Sequence, residues 1–263
     1  MTDRPRALIT GSAIRVGRAM ALDLAGSGWD VAIHYRGSSD EAEATAADAR
    51  ALGAAAATVQ ADLLLEAEVA AVVPSAVDAL GGPLSLLINN ASLFENDEIG
   101  TITRQSWDRS IESNLRAPVH LTQAFAEQAP EAELDTRGEP IAQSVVINLI
   151  DQRVLKPTPM FASYFAAKSG LHAFTRAAAQ ALAPEIRVAA IGPGPTLPAI
   201  RQSDEHFARQ RAACILRRGS DPDDIVHAMR FIIGNKAFTG QMLAIDGGQH
   251  LAWETPDIIG LEH

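Results

Sequence analysis

Tyr164 and Lys168 are the residues of this chain whose types and spacing best suit acid–base chemistry. They stand four positions apart in a helical pattern, so the phenol and the ammonium lie on one face of a helix. A nearby ammonium favours the phenolate. The spacing therefore predicts that the pKa of Tyr164 is lowered, which suits proton exchange near neutral pH.

Asp151 lies thirteen residues before Tyr164, directly after an apolar run that is typical of a buried strand. A carboxyl group beside a phenol forms a coupled pair that can share one proton. When it is ionised, a carboxylate can only accept hydrogen bonds. Asp151 therefore favours a substrate that presents N–H donors or needs a ring nitrogen protonated. The alternative is a loop or helix-entry acid with no part in the chemistry.

Residues 10–17 read TGSAIRVG and join the first apolar strand to a helical pattern. Glycines at 11 and 17 let the backbone approach a pyrophosphate, and a helix N-terminus favours its negative charge. Arg15 stands where a middle glycine is expected in such a loop. Its side chain is placed to reach a phosphate, a substrate or both, and the alternative is a solvated arginine.

Residues 34–39, at the end of the second predicted strand, read HYRGSS, and no acid follows until Asp40. An acid there commonly binds the ribose 2′-hydroxyl of NAD, whereas an arginine and hydroxyls suit a 2′-phosphate. We therefore expect NADPH rather than NADH, unless Arg36 is only a surface charge. Asp62 follows the third strand, where it either touches the adenine or caps the next helix.

Short apolar runs alternate with helical patterns along the whole chain. The predicted strands are residues 7–10, 31–35, 57–61, 84–90, 145–150, 186–191 and 241–245, and the clearest helices are 15–26, 40–51 and 162–183. This alternation predicts one α/β dinucleotide-binding domain over residues 1–263, with a Rossmann-type, doubly wound parallel sheet of about seven strands flanked by helices. Residues 129–143 are interpreted as a surface excursion. Residues 250–263 form a C-terminal tail whose Trp253 and Ile258-Ile259 suggest packing, for example on another subunit.

Composition excludes several classes of protein. The net charge is −10 without a dense Lys/Arg run, so a nucleic-acid partner is not expected. Cys214 is the only cysteine, and His120, His172 and His227 lack metal-ligand spacing, so no metal is expected. No apolar stretch reaches membrane-spanning length, and no secretory segment is recognised, so we expect a cytoplasmic protein without a membrane partner.

These motifs resemble the short-chain dehydrogenase/reductase family along nearly the whole chain. The shared features are Thr10-Gly11 with Gly17, Asn89-Asn90-Ala91, Asn114, Tyr164 with Lys168, Pro193-Gly194 and Ile245-Asp246-Gly247-Gly248. The resemblance implies that Tyr164 is the general acid and that Lys168 lowers its pKa and binds the nicotinamide ribose. It implies that Asn90 supports the cofactor and that Asn114 anchors a water behind Lys168. The implied catalytic set is Asp151, Tyr164, Lys168 and Asn114.

The resemblance and the residue patterns together give a full set of candidate site residues. The candidates for cofactor binding are Gly11, Arg15, Val16, Gly17, Tyr35, Arg36, Ser38, Asp62, Leu63, Asn90, Ala91, Ser92, Tyr164, Lys168, Pro193, Gly194 and Thr196. Within the family, the pattern is similar to that of pteridine reductases, which carry an aspartate in place of the usual serine and an arginine in the glycine loop. This implies that a pterin stacks between Phe94 and the nicotinamide. The candidates for substrate binding are Arg15, Ser92, Phe94, Asp151 and Tyr164.

The sequence thus predicts an NADPH-dependent reductase of pterins or dihydropterins. Hydride would pass from C4 of the nicotinamide to a ring carbon, and Tyr164, Asp151 or a water they hold would protonate the adjacent nitrogen. Two alternatives stay open, a reductase of another carbonyl or imine and an NADPH-binding sensor without turnover. Phe94 has the alternative role of a core or lid residue. Arg153 and Lys156 either reach the mouth of the cleft or lie on the solvated surface, and we assign them to the surface. The family resemblance also implies a homotetramer.

Overall fold

Seven parallel strands form the central sheet of this protein, whose computed structural model describes residues 4–199 and 202–255. The described residues contain nine strands in all: β1 (Arg6–Ile9), β2 (Asp30–Tyr35), β3 (Ala56–Gln60), β4 (Leu86–Asn89), β5 (Glu133–Leu134), β6 (Pro140–Ile141), β7 (Ser144–Leu149), β8 (Ile186–Pro193) and β9 (Met242–Ile245). The order in the sheet is β3-β2-β1-β4-β7-β8-β9, and β5 and β6 form a separate antiparallel pair. The predicted doubly wound sheet is confirmed.

Helices cover both faces of the sheet. They are α1 (Arg15–Gly26), α2 (Ser39–Ala51), α3 (Glu66–Leu80), α4 (Arg104–Ile111), α5 (Ala117–Gln128), α6 (Ala162–Ala181), α7 (Asp204–Ala212) and α8 (Pro222–Gly234). A π-helical turn at Glu112–Arg116 joins α4 to α5. Helices α1, α2 and α8 pack on one face of the sheet, and α3, α5 and α6 pack on the other.

The strands are apolar in continuous runs because both of their faces are buried. Ala7 and Ile9 of β1 belong to the core beneath α1 and α8, whereas Leu8 between them belongs to the core beneath α3 and α5. Alternation of side chains along a strand sends neighbours to opposite faces, so every position of β1 past its first residue must be apolar. In β4 all four residues are buried, and the three before Asn89 are apolar.

The limits of some elements differ from the sequence prediction. The fourth strand is shorter than predicted, since Leu84 is buried but lies outside the hydrogen-bonded ladder. Helix α6 ends at Ala181 rather than 183, as expected so close to Pro184, which disfavours helix in the residue before it. The excursion at residues 129–143 contains the β5–β6 pair. Within the described residues, no helix is both long and apolar enough to cross a membrane.

The sheet gathers the predicted site residues at one edge. The strand order reverses between β1 and β4, and the crevice at the carboxyl ends of such strands is where doubly wound sheets bind ligands. The glycine-containing loop leaves β1 at this edge, and residues 90–94 leave β4 beside it. Asp151 follows β7, and Gly194 follows β8.

Candidate active site

The loop between β1 and α1 depends on two glycines for its conformation and is hydrogen-bonded to the residues that follow β4. Gly11 has a φ of 62°, and a Cβ added to Gly17 would lie 2.5 Å from the Gly11 carbonyl oxygen. Neither position therefore admits a side chain without a shift of the backbone. Asn90 Nδ2 donates to the carbonyl oxygens of Thr10 and Gly11, at 2.8 and 3.1 Å. The amides of Asn90 and Ala91 donate to Thr10 Oγ1, both at 2.9 Å.

His34, on strand β2, anchors the same loop. The sequence analysis did not assign this role. The Gly11 amide donates to Nδ1 over 3.1 Å, so Nε2 carries the proton and lies 3.2 Å from the Ala61 carbonyl oxygen. Burial lowers the pKa of His34 to about 4, which keeps the ring neutral. A neutral imidazole can accept and donate at once, and it thereby ties the ends of β1, β2 and β3 together.

A cleft of about 700 Å³ extends from the glycine loop to the ends of β2 and β3. It is lined by twelve of the predicted cofactor residues: Gly11, Arg15, Val16, Gly17, Tyr35, Arg36, Ser38, Asp62, Leu63, Asn90, Ala91 and Ser92. Asp62 does not cap the next helix, because α3 begins at Glu66 and the carboxyl accepts from the Leu64 amide at 3.1 Å.

A second cleft of about 260 Å³ holds the remaining predicted cofactor residues and Asp151. It is lined by Asp151, Tyr164, Lys168, Pro193, Gly194 and Thr196, and it shares Arg15, Val16, Asn90 and Ser92 with the first cleft. The shared residues make the two clefts neighbours, with the acid–base groups at one end. No group of three His, Cys, Asp or Glu side chains in residues 4–199 and 202–255 is arranged to hold a metal ion.

Tyr164 and Asp151 form a hydrogen-bonded pair at the base of the second cleft. The buried Tyr164 hydroxyl donates to Asp151 Oδ2 over 3.0 Å. Burial and the Asp151 charge raise the pKa of Tyr164 well above its usual value, against smaller opposing effects from the Arg153 charge and from Ser92. The prediction of a lowered pKa was therefore wrong. The Lys168 ammonium lies 5.8 Å from the centroid of the Tyr164 ring and donates to the Leu149 carbonyl at 2.8 Å. The effect of the Asp151 carboxyl on the pKa of Tyr164 therefore outweighs that of the ammonium.

The charges of the site are strongly affected by burial. Burial raises the pKa of Asp151, and the positive charge of Arg153 is the largest opposing effect. Burial lowers the pKa of Lys168 to about 8, and the negative charge of Asp151 opposes the change. Asp151 and Lys168 thus each favour the charged state of the other.

Asn114 organises the segment that follows β4. It lies in the π-helical turn Glu112–Arg116, a feature that often marks functional sites. Asn114 Oδ1 accepts from Ser92 Oγ at 2.7 Å and from the Leu93 amide at 3.2 Å, and its Nδ2 donates to the Leu93 carbonyl at 3.0 Å. Asn114 thereby fixes Ser92 beside Tyr164. The water behind Lys168 that the resemblance implies for Asn114 stays a prediction.

Two phenylalanines form an aromatic wall beside the acid–base pair. The rings of Phe94 and Phe161 stack with centroids 4.2 Å apart and an interplanar angle of 10°. Phe94 also meets the Tyr164 ring edge-on, with centroids 4.9 Å apart. Phe94 is 43% exposed and is therefore not a core residue. Phe161 was missed by the sequence analysis. Its left-handed φ of 59°, just before α6, turns the chain into that helix, and an aromatic three residues before Tyr164 was the available signal.

Arg153 is not solvated surface, contrary to the sequence interpretation. Its side chain is 18% exposed, and its guanidinium carbon lies 5.1 Å from the Phe94 centroid and 4.8 Å from the Phe161 centroid. The Arg153 amide donates to Asp151 Oδ1 over 2.8 Å, and Nη1 lies 3.9 Å from Oδ2. Lys156 is also engaged, since its ammonium donates to the Ala252 carbonyl at 2.8 Å.

The tail beyond β9 is described as far as residue 255. Trp253, which we expected to pack on something, is 68% exposed within this chain. Ile258-Ile259 lie outside the described residues. The Lys156–Ala252 bond places the described part of the tail beside the loop that follows Asp151.

Asp97 caps the helix that carries Tyr164 and Lys168, although the sequence analysis gave it no role. Asp97 is buried, and its carboxylate accepts from the Ser163 amide at 3.0 Å, from Ser163 Oγ at 2.5 Å and from Ser106 Oγ at 3.0 Å. Its own carbonyl accepts from the Ala162 amide at 3.1 Å. The first amides of α6, which lack partners within the helix, are thus satisfied from a loop 66 residues earlier in the chain.

Arg15 crosses the mouth of the second cleft. Its backbone has a left-handed φ of 56°, which explains why a glycine is the expected residue there. Its Nη2 donates to the carbonyl oxygens of Leu197 and Pro198, at 3.4 and 3.0 Å. The glycine loop is therefore connected to the segment that follows β8.

A dinucleotide-type cleft that ends at a buried tyrosine, lysine and carboxylate defines an oxidoreductase. The sequence model described as short chain dehydrogenase matches residues 5–208, and the chain belongs to that family. Among solved structures it is similar to FolM alternative dihydrofolate reductase 1 from Brucella suis in complex with NADP. That match has a TM-score of 0.90 and 45% identity, and it covers 98% of this chain and 100% of the other.

Two further relatives indicate the range of the family. The Brucella canis FolM alternative dihydrofolate reductase 1, complexed with NADP, is 44% identical with a TM-score of 0.87, over 97% of this chain and 98% of that one. The 3-oxoacyl-[acyl-carrier-protein] reductase FabG of Staphylococcus aureus (strain Mu50 / ATCC 700699) is 30% identical over 250 residues, which cover 93% of this chain and 98% of that protein.

Proposed function

We propose that this protein is an NADPH-dependent reductase of pterins or dihydropterins. The observation that carries the proposal is the 3.0 Å hydrogen bond from Tyr164 to Asp151 beside an exposed phenylalanine. An ionised Asp151 can only accept hydrogen bonds, and a pterin offers amino and ring N–H groups. The Phe94 ring supplies an aromatic surface for a flat heterocycle. The names of the two Brucella relatives support the same class of substrate.

The residues of the first cleft fit NADPH. Gly11 and Gly17 leave a cradle that a Cβ would fill, and it lies at the N-terminus of α1, where backbone amides favour a pyrophosphate. Arg36 and Ser38 line the far end of the cleft, where the 2′-phosphate of the adenosine ribose would lie. Both Brucella structures contain NADP, which supports this choice of cofactor.

In the reaction that we propose, bound NADPH supplies a hydride for a ring carbon of the pterin. Tyr164 and Asp151 hold one proton between them and deliver it, directly or through a water, to the neighbouring ring nitrogen. Asp151 and Ser92 orient the heterocycle through hydrogen bonds, and Phe94 restricts its tilt. The Lys168 ammonium stabilises the negative charge left on the pair after the proton has departed.

Reduction of a 3-oxoacyl thioester is the competing function, favoured by the 30% identity to FabG over 93% of the chain. A ketone oxygen needs hydrogen-bond donors as it becomes an alkoxide. Here Tyr164 is the proton donor of the pair, and an ionised Asp151 gives a ketone oxygen no second hydrogen-bond donor. The site is therefore better matched to a substrate that donates to the carboxylate.

The decisive experiment follows NADPH oxidation with dihydropterins, dihydrofolate, simple ketones and 3-oxoacyl thioesters. We expect turnover of the pterins, and we expect Asp151→Ser to lose most of it. Turnover of ketones but of no pterin would refute the proposal. NADPH binding without turnover of any of them would instead identify a sensor. Equal activities of Asp151→Ser and the parent protein would place Asp151 outside the chemistry.

The family resemblance also supports a homotetramer, which we include in the proposal. Trp253 and Ile99 are 68% and 82% exposed on the single chain, and burial of such side chains is a usual consequence of assembly. Light scattering coupled to size-exclusion chromatography measures the mass directly. A monomer at micromolar concentration would contradict this part of the proposal.

A further inference from the structure

Arg153 joins the two halves of the candidate substrate site. One side of its guanidinium meets the aromatic wall, at 5.1 Å from the Phe94 centroid and 4.8 Å from that of Phe161. The other side reaches the acid–base pair, with Nη1 3.9 Å from Asp151 Oδ2. The nearly equal distances to both rings place the cation beside the stack, where one group touches both phenylalanines and the carboxyl.

The backbone of Arg153 reinforces this arrangement. Its amide donates to Asp151 Oδ1 over 2.8 Å at the start of a short 3₁₀ turn, Gln152–Val154. One oxygen of the carboxyl is thus occupied by the Arg153 amide, and the other is shared by Tyr164 and the guanidinium. The carboxyl can therefore rotate little, and Oδ2 is the oxygen left facing Tyr164.

Three ionisable groups face Asp151. Tyr164 and Lys168 come from α6, and Arg153 comes from the 3₁₀ turn. Lys168 donates to the Leu149 carbonyl, and Tyr164 is neutral in the ordinary pH range. Arg153 is therefore the permanent positive charge at the carboxyl, because a guanidinium does not lose its proton in proteins.

We propose that Arg153 is a positioning residue that keeps Asp151 ionised and aimed at the substrate, and that it makes the site selective for flat heterocycles with N–H donors at neutral pH. The proposal rests on the function proposed above and deepens it. Burial raises the pKa of Asp151 and the Arg153 charge opposes the rise, so loss of that charge moves the carboxyl further towards its neutral form. A neutral Asp151 would offer a donor and fewer acceptor sites, and pterin selectivity would decrease.

The test compares Arg153→Gln and Arg153→Lys with Lys156→Gln as the matched control. Lys156 lies near Asp151 in sequence but donates to the Ala252 carbonyl rather than to the carboxyl. For each protein, kcat/KM for 7,8-dihydropterin is measured from pH 5 to 9 at saturating NADPH. We expect Arg153→Gln to move the acid limb up by about one pH unit, the lower end of the range for a charge at this distance. Arg153→Lys should return the limb towards its original position, and Lys156→Gln should leave it unchanged.

A second measurement does not depend on turnover. In protein labelled at aspartate carboxyl carbons, the ¹³C signal that disappears in Asp151→Asn reports the ionisation of Asp151 directly. An upward shift of its titration midpoint in Arg153→Gln supports the proposal even when no pterin is reduced, and in that case only the proposed substrate fails. An unchanged midpoint and an unchanged acid limb in a folded Arg153→Gln protein would overturn it. If Arg153→Gln does not fold, the neutral variant Arg153→Met takes its place, and the same two outcomes support or overturn the proposal.

Discussion

Replacement of Asp97 by alanine should lower catalytic activity, although Asp97 lines neither cleft and contacts none of the groups proposed to react. The carboxylate accepts three hydrogen bonds, from the Ser163 amide, Ser163 Oγ and Ser106 Oγ. Ser163 directly precedes Tyr164, so loss of these bonds loosens the first turn of α6 and moves the phenol relative to Asp151.

The cost can be worked out bond by bond. Loss of the bond to the Ser163 amide removes a helix cap, which typically costs about 1 kcal/mol. The two hydroxyls bond to an ionised acceptor, and such bonds contribute about 1.5–3 kcal/mol each, less what rotation of the hydroxyls recovers. We therefore expect Asp97→Ala to lower the free energy of unfolding by about 3 kcal/mol. Asp97→Asn keeps one acceptor oxygen and should lose about half as much.

The assay is urea denaturation combined with steady-state kinetics of pterin reduction. Asp30 provides the control, because it is similarly buried and accepts from the Ala55 amide at 2.8 Å, but it lies at the opposite edge of the sheet. Both alanine variants should be less stable, whereas only Asp97→Ala should lose about tenfold or more in kcat/KM while folded. Normal kcat/KM in folded Asp97→Ala would refute the reasoning.

Three further changes test the cleft. Arg36→Ala should weaken NADPH binding by about 1–3 kcal/mol in calorimetry, and an equal loss for NADH would contradict contact with the 2′-phosphate. Because the pKa of Lys168 is lowered to about 8, kcat/KM of the parent protein should fall as pH rises through that value. In Lys168→Arg, kcat/KM should stay constant over the same pH range. A fall in both proteins would assign the pH dependence to another group. Phe161→Leu should remove a stacking contribution of about 0.5–1.5 kcal/mol and raise the KM for the pterin severalfold, without changing that for NADPH.

The strands of the sheet were predictable because the pattern that marks them lies within a few consecutive residues. A parallel strand with helices on both sides must be apolar at nearly every position, so strands such as β4 and β7 stand out in the sequence. Their exact ends were not predictable, since Leu84 is as buried as Leu86 of β4 yet forms no ladder bond. The pair β5–β6 is too short for any periodicity to reveal it.

The site residues likewise divide into those that the sequence predicts and those that it does not. Residues fixed by short motifs, such as Gly11, Tyr164 and Lys168, line the predicted clefts because each follows directly from the end of a strand or the turn of a helix. Asp97 and Arg153 were missed because their partners are distant in sequence or depend on a loop conformation. The direction of the Tyr164 pKa shift depended on burial and on one 3.0 Å contact, which spacing alone does not specify.

Two hydrogen bonds from Arg15, to the carbonyl oxygens of Leu197 and Pro198, connect the two walls of the second cleft. We expect a ligand that shifts the glycine loop to shift the segment after β8 as well, and the reverse, because the same arginine contacts both. Two ligands that act on one shared element must influence each other's affinity by the same factor. We therefore expect NADPH and substrate each to change the affinity for the other. The left-handed backbone of Arg15, at the centre of this connection, is a site of local strain.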